Sequence, residues 1–266
     1  MVVGASVPDG ADSAYDMKEM EHNEAFLRFR LGAGAEGDEA AELLLWPAAR
    51  PNGQAVVACP GGGFNQVALE REGYPFARWF NERGVTYAVL CYRMPHGRAG
   101  LPAEDIRCAL AFMRERAAVW GITRLGVMGA SIGGHIAATA ATLFEGEERP
   151  AFQILLYPVI TMLDAWAHRP SRGRLMGENP SAELCERLSL ELHVTPQTAP
   201  TFIVLAEDDA AVSPMHSLRY YEALCARGVP AQLHIYPRGG HSFAFDDAFP
   251  YKALWLAELE RFLGEV

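Results

Sequence analysis

The clearest candidate for chemistry in this sequence is a Gly-x-Ser-x-Gly segment, residues 129–133, with Ser131 at its centre. The apolar run 125–128 precedes the segment and an alanine-rich stretch follows it, a pattern that predicts a strand, a tight turn and a helix. Ser131 then stands at the turn in a strained backbone conformation, and glycines on both sides remove the side chains that would collide there. We therefore expect its hydroxyl to project from the sheet edge as a nucleophile.

Serine is a weak nucleophile at neutral pH, so it requires a base that removes its proton and an acid that orients the base. Of the eight histidines, His241 is the best base, because it follows the predicted strand 232–236 and two glycines on a loop that can reach Ser131. His135 would lie one helical turn beyond Ser131, on the side leading away from the hydroxyl, and is interpreted as structural. His96 follows another predicted strand and could line the site or face solvent.

Two neighbouring carboxylates, Asp208 and Asp209, follow the predicted strand 201–206 and compete for the orienting role. Neighbours in an extended segment point to opposite sides, so only one of the two can reach His241. We favour Asp209 and keep Asp208 as the alternative. A glycosidase would need two carboxyl groups facing one bond across roughly 5 to 10 Å, and an adjacent pair cannot provide that arrangement.

An activated serine that attacks a carbonyl group also needs hydrogen-bond donors for the oxyanion that forms there. Three consecutive glycines, 61–63, follow the predicted strand 55–59 and allow backbone N–H groups to converge on a substrate oxygen without obstruction by side chains. We predict that Gly62 and Gly63 are donors, together with the N–H of Ile132. Each such donor contributes roughly 3 kcal/mol of transition-state stabilisation.

Predicted strands alternate with predicted helices from residue 55 to the C-terminus. The strands are 55–59, 85–92, 125–128, 152–157, 201–206 and 232–236, and the helices are 76–83, 106–118, 132–144, 215–226 and 251–263. This alternation predicts an α/β fold with a mostly parallel central sheet and helices on both faces. Two earlier apolar stretches, 27–31 and 43–46, separated by a Gly/Ala/Glu-rich turn, predict antiparallel strands at a sheet edge. Every candidate above then lies at the carboxyl end of a strand, where such sheets bind ligands.

The stretch 159–198 interrupts the alternation, because it is rich in proline and glycine and contains only one short helical candidate, 182–188. We interpret this stretch as a small insertion that forms a partial lid over the site of a single domain, residues 1–266. Arg172 and Arg174 make the insertion polar, whereas the lid of a lipase is expected to be strongly apolar.

Composition excludes several classes of partner. The formal net charge of -10 over 266 residues disfavours nucleic acid and anionic membranes, since both require a positive surface. No stretch approaches the roughly 20 apolar residues that cross a bilayer, and the N-terminal segment, with Asp9, Asp12 and Glu21, has no signal-peptide core. A cytoplasmic location is expected, or a secreted or periplasmic one if a leader was removed.

No pair of histidines or cysteines has metal-ligand spacing, so we expect no metal and no cofactor.

Several short motifs, beginning near residue 55 and continuing to the C-terminus, occur together in this chain. They are Cys59-Pro60-Gly61-Gly62-Gly63-Phe64, Glu72-Gly73, Tyr92-Arg93-Met94-Pro95, Gly129-Ala130-Ser131-Ile132-Gly133-Gly134-His135, Tyr157-Pro158-Val159-Ile160, Gly177-Glu178-Asn179-Pro180-Ser181, His193-Val194-Thr195-Pro196, Asp208-Asp209, Ser217-Leu218-Arg219-Tyr220-Tyr221 and Gly239-Gly240-His241. With these motifs the chain resembles the acetyl-xylan-esterase-like branch of the α/β-hydrolases. The resemblance implies the α/β-hydrolase fold and a serine esterase that removes acetyl or feruloyl groups from carbohydrates, with Ser131, Asp209 and His241 as its catalytic triad.

Two other functions remain open at this point. A peptidase or a lipase could use the same triad, and some proteins with an α/β-hydrolase fold are ligand-binding receptors in which the nucleophile or the base is replaced. All three triad residues are present here, which favours an enzyme. The expected partner is a small-molecule or oligosaccharide ester, and the oligomeric state is left open.

Overall fold

The computed structural model describes residues 16–19, 25–31 and 40–266. Strands in these ranges are β1 (Asp16–Glu19), β2 (Ala25–Leu31), β3 (Ala41–Trp46), β4 (Gln54–Cys59), β5 (Thr86–Cys91), β6 (Arg124–Ala130), β7 (Gln153–Leu156), β8 (Thr201–Ala206) and β9 (Ala231–Tyr236). They form one sheet in the order β1-β2-β3-β5-β4-β6-β7-β8-β9. The pairs from β1 to β5 in this order are antiparallel, and all pairs from β5 to β9 are parallel. This arrangement confirms the predicted mostly parallel sheet with antiparallel strands at one edge.

Helices flank the sheet. They are α1 (Pro75–Glu82), α2 (Leu101–Glu115), α3 (Ile132–Leu143), α4 (Arg169–Met176), α5 (Ala182–Arg187), α6 (Met215–Ala226) and α7 (Lys252–Glu265), with a short π-helical turn at Leu69–Gly73. Helices α1 and α7 meet through Phe76 and Trp255, whose ring centroids are 6.2 Å apart. Helices α3 and α6 meet through a 2.6 Å hydrogen bond between the hydroxyls of Thr142 and Tyr220. The two helix pairs cover opposite faces of the sheet, as predicted.

The inner parallel strands β4 and β8 are largely apolar on both faces because helices exclude water from each side. All residues of β8 are buried, and so are all residues of β4 except the first. A strand that is buried on both faces cannot alternate apolar and polar residues, which explains the continuous apolar runs in the sequence. No helix within the described ranges is long and apolar enough to cross a membrane.

Helix α4 was not predicted, and α2 begins earlier than predicted. Pro170 and Gly173 fall within α4, and both residues are poor helix formers in isolation. Pro170 lies in the first turn of α4, where its missing N–H costs nothing, and Pro102 lies in the first turn of α2 for the same reason.

Some of the predictions fall outside the described residues. These are the acidic residues Asp9, Asp12 and Glu21 and most of the turn predicted before β3, residues 32–39.

Strand order brings the glycine loop and the serine turn together. Strand β4 lies between β5 and β6, so the chain passes from β4 to its neighbour on one side and later adds β6 on the other side. In open α/β sheets, ligands bind where the strand order reverses in this way. Cys59 at the end of β4 is in register with Gly129 near the end of β6. The segments that follow these two strands therefore start side by side.

The junction of β6 and α3 is packed too closely for side chains. Ser131 has φ 54° and ψ -122°, a conformation that non-glycine residues rarely adopt. A Cβ atom at Gly133 would overlap the carbonyl oxygen of Cys59, and a Cβ atom at Gly129 would overlap the carbonyl oxygen of Gly133. The glycines therefore let α3 start directly against β4, which confirms the role predicted for them.

We predict that Gly133→Ala lowers the free energy of unfolding by about 3 kcal/mol or more, because the clash involves backbone that can move only with the whole strand. The matched control is Gly173→Ala in α4, where a Cβ atom meets nothing within 4 Å. That control should stabilise the protein by up to about 1 kcal/mol through helix propensity. Equilibrium urea denaturation measures both, and an equal effect of the two substitutions would contradict the packing argument.

Candidate active site

Three side chains from distant parts of the chain form one continuous series of hydrogen bonds. The Oγ atom of Ser131 lies 2.8 Å from Nε2 of His241, and Nδ1 of His241 lies 2.7 Å from Oδ2 of Asp209. A carboxylate only accepts hydrogen bonds, so Nδ1 carries the imidazole proton and Nε2 is free to accept the proton of Ser131. This geometry suits removal of the serine proton during attack on a carbonyl carbon.

The carboxylate of Asp209 is held from both sides. Its side chain is 1% exposed, and Oδ1 accepts hydrogen bonds from the N–H groups of Ala211 and Val212, both at 2.9 Å. These bonds leave Oδ2 directed at His241. Three hydrogen bonds thus fix the orientation of this buried carboxylate.

Asp208 points elsewhere, but not for the reason that the sequence argument gave, because residues 207–208 form a turn and not an extended segment. Its Oδ1 atom accepts a 2.7 Å hydrogen bond from the backbone N–H of Gly240, the residue before His241. The structure therefore brings Asp209, and not Asp208, to the imidazole. Asp208 instead fixes the backbone of the loop that carries His241, a contact that the sequence did not predict.

The glycine loop after β4 presents two free amides. Gly62, Gly63 and Phe64 have φ values of 114°, 66° and 58°, so three successive residues occupy the left-handed region. The carbonyl of Gly61 accepts a hydrogen bond from Ala68 N, and the carbonyl of Gly62 accepts one from Asn65 N, both at 3.0 Å. The carbonyl of Gly61 shares a planar peptide unit with the N–H of Gly62, and the carbonyl of Gly62 shares one with the N–H of Gly63. Because C=O and N–H point in opposite directions in such a unit, the two hydrogen bonds also fix the directions of these N–H groups.

The amides of Gly62 and Gly63 have no acceptor within the described part of the chain, and the N–H of Ile132 is the first of α3, where no intrahelical acceptor exists. A Cβ atom on Gly61 would lie 2.8 Å from Cβ of Ser131, which shows how closely the loop approaches the serine. The three predicted donors thus lie in segments that flank Ser131.

Glu72 is a buried carboxylate that joins the glycine loop to the strand beyond the serine. It is 2% exposed, its Oε2 accepts a 2.7 Å hydrogen bond from Gly61 N, and its Oε1 accepts a 3.0 Å hydrogen bond from the hydroxyl of Tyr157. Tyr157 follows β7, and burial raises the pKa of its phenol well above the usual value, so it remains a donor. Gly61 is therefore held by Glu72 and is not available as an oxyanion donor.

Tyr157 also contacts the base. Its ring packs edge-on against the imidazole of His241, with centroids 4.8 Å apart, and a second edge contact at 5.0 Å joins it to Phe243. Tyr157 has φ 38°, a strained value for an aromatic residue. One side chain thus links the carboxylate behind the donor loop to the ring of the base.

An open cleft of about 720 Å³ contains the serine and the imidazole. One wall is formed by residues 66–72, and the remaining lining residues are Gly62, Gly63, Ser131, His168, Ala211, His241 and Ser242. His168 comes from the stretch 159–198. From the same stretch, the guanidinium of Arg174 donates to the carbonyl of Gly63 at 3.1 Å, and the backbone carbonyl of Arg174 accepts from the N–H of Gly97 at 2.8 Å.

Other histidines have structural contacts. Nε2 of His135 lies 2.8 Å from the carbonyl of Leu188, and burial lowers its pKa to about 4. Nδ1 of His216 accepts from the N–H groups of Ile160 and Thr161, and burial again lowers the pKa to about 4. His96 is exposed and is not among the residues that line the cleft. Within the described ranges, no cluster of three His, Cys, Asp or Glu side chains could hold a metal ion.

Sequence reasoning missed the parts played by Glu72, Tyr157 and His168. Glu72 and Tyr157 belong to motifs that support the family resemblance, Glu72-Gly73 and Tyr157-Pro158, but the motifs do not show what their side chains contact. His168 lies in a stretch without regular periodicity and carried no signal.

Comparison with known proteins agrees with the fold. A model of the prolyl oligopeptidase family (peptidase S9) matches residues 78–266, a range that contains Ser131, Asp209 and His241. An acetylxylan esterase of Xylanibacter ruminicola is 33% identical over 238 residues, which cover 86% of this chain and 49% of that protein. An ethyl acetate hydrolase of Pseudomonas putida is 28% identical over 217 residues, which cover 72% of this chain and 66% of that protein. The chain therefore spans only about half to two thirds of the length of these relatives.

A solved structure resembles most of the chain. The acetyl ester-xyloside bifunctional hydrolase from Caldicellulosiruptor lactoaceticus aligns with a TM-score of 0.80 at 30% identity, over 86% of this chain and 89% of that one. The sheet order, the serine turn and the family match all agree with this similarity. The chain has the α/β-hydrolase fold and belongs to the prolyl oligopeptidase family.

Proposed function

We propose that this chain is a serine esterase that removes acyl groups, acetyl in the first instance, from carbohydrate esters without a metal or cofactor. The observation that carries the proposal is the unbroken series of hydrogen bonds from Ser131 through His241 to Asp209, at 2.8 and 2.7 Å. A receptor has no need of an activated hydroxyl, so this geometry favours an enzyme over a ligand-binding protein.

In the proposed reaction, Oγ of Ser131 attacks the ester carbonyl carbon while its proton moves to Nε2 of His241. The carbonyl oxygen becomes an oxyanion and accepts hydrogen bonds from the N–H groups of Gly62, Gly63 and Ile132. The tetrahedral intermediate collapses, the C–O bond to the sugar breaks, and His241 transfers the proton to the leaving oxygen. Water then repeats the sequence on the acyl-enzyme and releases the carboxylic acid.

The choice of substrate class is supported by the relatives. The three similar proteins are named as an acetylxylan esterase, an ethyl acetate hydrolase and an acetyl ester-xyloside hydrolase, and each name specifies an acetyl ester. An acetyl group on a xylose-type sugar is therefore the first substrate to test, with a feruloyl group as the alternative acyl group.

A peptidase is the second candidate, because the chain belongs to a family whose name describes peptide hydrolysis. Ester and amide substrates differ in the leaving group, since an amine must be protonated as it departs whereas an alkoxide is a better leaving group. Comparing rates on an acetylated sugar and on a proline-containing peptide decides between the two functions.

The stretch 159–198 is proposed to act as a partial lid on a single domain. It supplies His168 to the cleft and, through Arg174, a hydrogen bond to the carbonyl of Gly63. A lid held in this way limits access of water without closing the cleft.

Replacing Ser131 by Ala should lower the release of acetate from acetylated xylan roughly a million-fold, because the nucleophile and the acyl-enzyme are lost together. Acetate is measured by coupled assay or by NMR, and labelling of the wild-type serine by a fluorophosphonate probe is followed in parallel. The control is Ser181→Ala, which removes a helix cap on α5 outside the cleft. Substantial activity in Ser131→Ala would contradict the proposal. Release of ferulate in place of acetate by the wild-type protein would keep the esterase function and change only the acyl group.

Replacing Asp209 by Asn should lower kcat about 10⁴-fold, because an amide can hold the imidazole in the wrong tautomer. Asp208→Asn is the matched neighbour and should lower kcat by no more than about tenfold, since an amide oxygen can still accept from Gly240 N. Steady-state kinetics on p-nitrophenyl acetate distinguish the two. Equal losses, or a larger loss for Asp208→Asn, would reverse the assignment of the orienting acid.

Replacing Glu72 by Ala should lower kcat about 100-fold with little change in KM, because displacement of the donor loop by about 1 Å weakens transition-state contacts. Glu72→Gln should recover most of the loss, since its amide oxygen can accept from Gly61 N and its NH₂ group can donate to the oxygen of Tyr157. Thermal melting curves are recorded for both variants. If kcat falls only in proportion to the fraction of protein that is unfolded, Glu72 has no part in positioning the donors.

A further inference from the structure

His168 is a titratable side chain in the cleft that the proposed triad does not use. It lies immediately before α4 and lines the same cleft as Ser131 and His241. Its Nδ1 atom is 2.8 Å from the hydroxyl oxygen of Ser171, which is itself 1% exposed. The buried hydroxyl fixes the orientation of the imidazole ring.

The other nitrogen of the ring remains available to a ligand. Nε2 of His168 has no hydrogen-bond partner among the residues that the structure describes, and it is not one of the buried polar atoms without a partner. Burial, and secondly the nearby imidazole of His241, lower the pKa of His168 below its usual value. The ring is therefore neutral at neutral pH and suits a hydrogen bond with an uncharged hydroxyl.

His168 lines the cleft together with His241, the residue that protonates the leaving alcohol in the proposed reaction. In the proposed reaction, Nε2 of His241 transfers its proton to the leaving oxygen, so a side chain close to His241 is also close to the departing alcohol. The cleft is also lined by the exposed polar residues Gln66, Glu70 and Arg71. A plain alkyl alcohol would leave these polar groups without partners, whereas a polyol offers several hydroxyls.

We propose that His168 is a specificity-determining residue whose Nε2 atom forms a hydrogen bond with a hydroxyl of the leaving alcohol adjacent to the ester. This inference rests on the proposed esterase function and extends it, because it assigns the preference for sugar esters to one atom of the lid. Binding energy from that hydrogen bond is realised only when the alcohol carries a second hydroxyl.

The test uses two acetate esters with six-membered rings of similar size, a mono-acetylated methyl xyloside and cyclohexyl acetate. Only the first has hydroxyls beside the ester. His168→Asn keeps an amide at the place of Nδ1, so the contact with Ser171 can persist, but it removes the atom at the place of Nε2. The ratio of kcat/KM for the xyloside to kcat/KM for cyclohexyl acetate should fall roughly tenfold, the effect of one neutral hydrogen bond.

His168→Gln supplies the rescue, because its amide reaches the place of Nε2, and it should restore the ratio to within about threefold of the wild-type value. The control is His96→Asn, the same substitution at an exposed histidine outside the cleft with φ 46°, a value that Asn adopts readily. It should leave the ratio unchanged.

The outcomes separate this inference from the proposed function. A wild-type enzyme that cleaves both esters, with a ratio that His168→Asn does not alter, overturns the role of His168 and leaves the esterase function standing. A wild-type protein that cleaves neither ester overturns the acetyl esterase function and with it the inference. Equal losses on both esters in His168→Asn would show a general structural role, and a fall in the ratio with recovery in His168→Gln supports the proposal.

Discussion

Ser131 is held with φ 54° and ψ -122°, a backbone conformation that costs of order 1–3 kcal/mol for a residue with a side chain. This conformation turns the chain from β6 into α3 within one residue and places the hydroxyl above the sheet. It persists because the surrounding packing permits no other path, since α3 starts against the backbone of β4 with glycine at Gly133. The core therefore maintains the strain, and the position of Ser131 depends on the close approach of β4 and α3.

Two buried carboxylates organise the surroundings of the serine from opposite sides. Asp209 fixes the imidazole, and Glu72 fixes Gly61 at the start of the donor loop. Each carboxylate accepts hydrogen bonds through both oxygens, which offsets the cost of removing a charge from water. In the proposed reaction, the hydrogen bonds of Glu72 to Gly61 and Tyr157 would hold the loop so that the proposed donors Gly62 and Gly63 do not need to move.

Much of the fold could be predicted from periodicity. Strand 201–206 and helix 215–226 were predicted with the bounds that the structure gives to β8 and α6, because buried parallel strands and long helices have strong patterns. Helix α4 could not be predicted, because a proline and a glycine in eight residues are unfavourable without tertiary contacts. Among the site residues, Ser131, Asp209 and His241 could be predicted from their positions after strands. Glu72 could not, since Glu70-Arg71-Glu72 resembles a solvated charged surface until packing shows that only its last residue is buried.

The stretch 159–198 is attached to the domain independently of the three residues that would carry the chemistry. His216 on α6 accepts hydrogen bonds from the N–H groups of Ile160 and Thr161 near its start, and His135 on α3 bonds the carbonyl of Leu188 further along. These hydrogen bonds involve backbone atoms of the stretch, so they do not depend on which side chains Ile160, Thr161 and Leu188 carry. Residues that face the cleft from this stretch can therefore change without altering the strand ends that position Ser131, Asp209 and His241. In the proposed reaction, contacts with the leaving alcohol would therefore depend on different hydrogen bonds from those that join Ser131, His241 and Asp209.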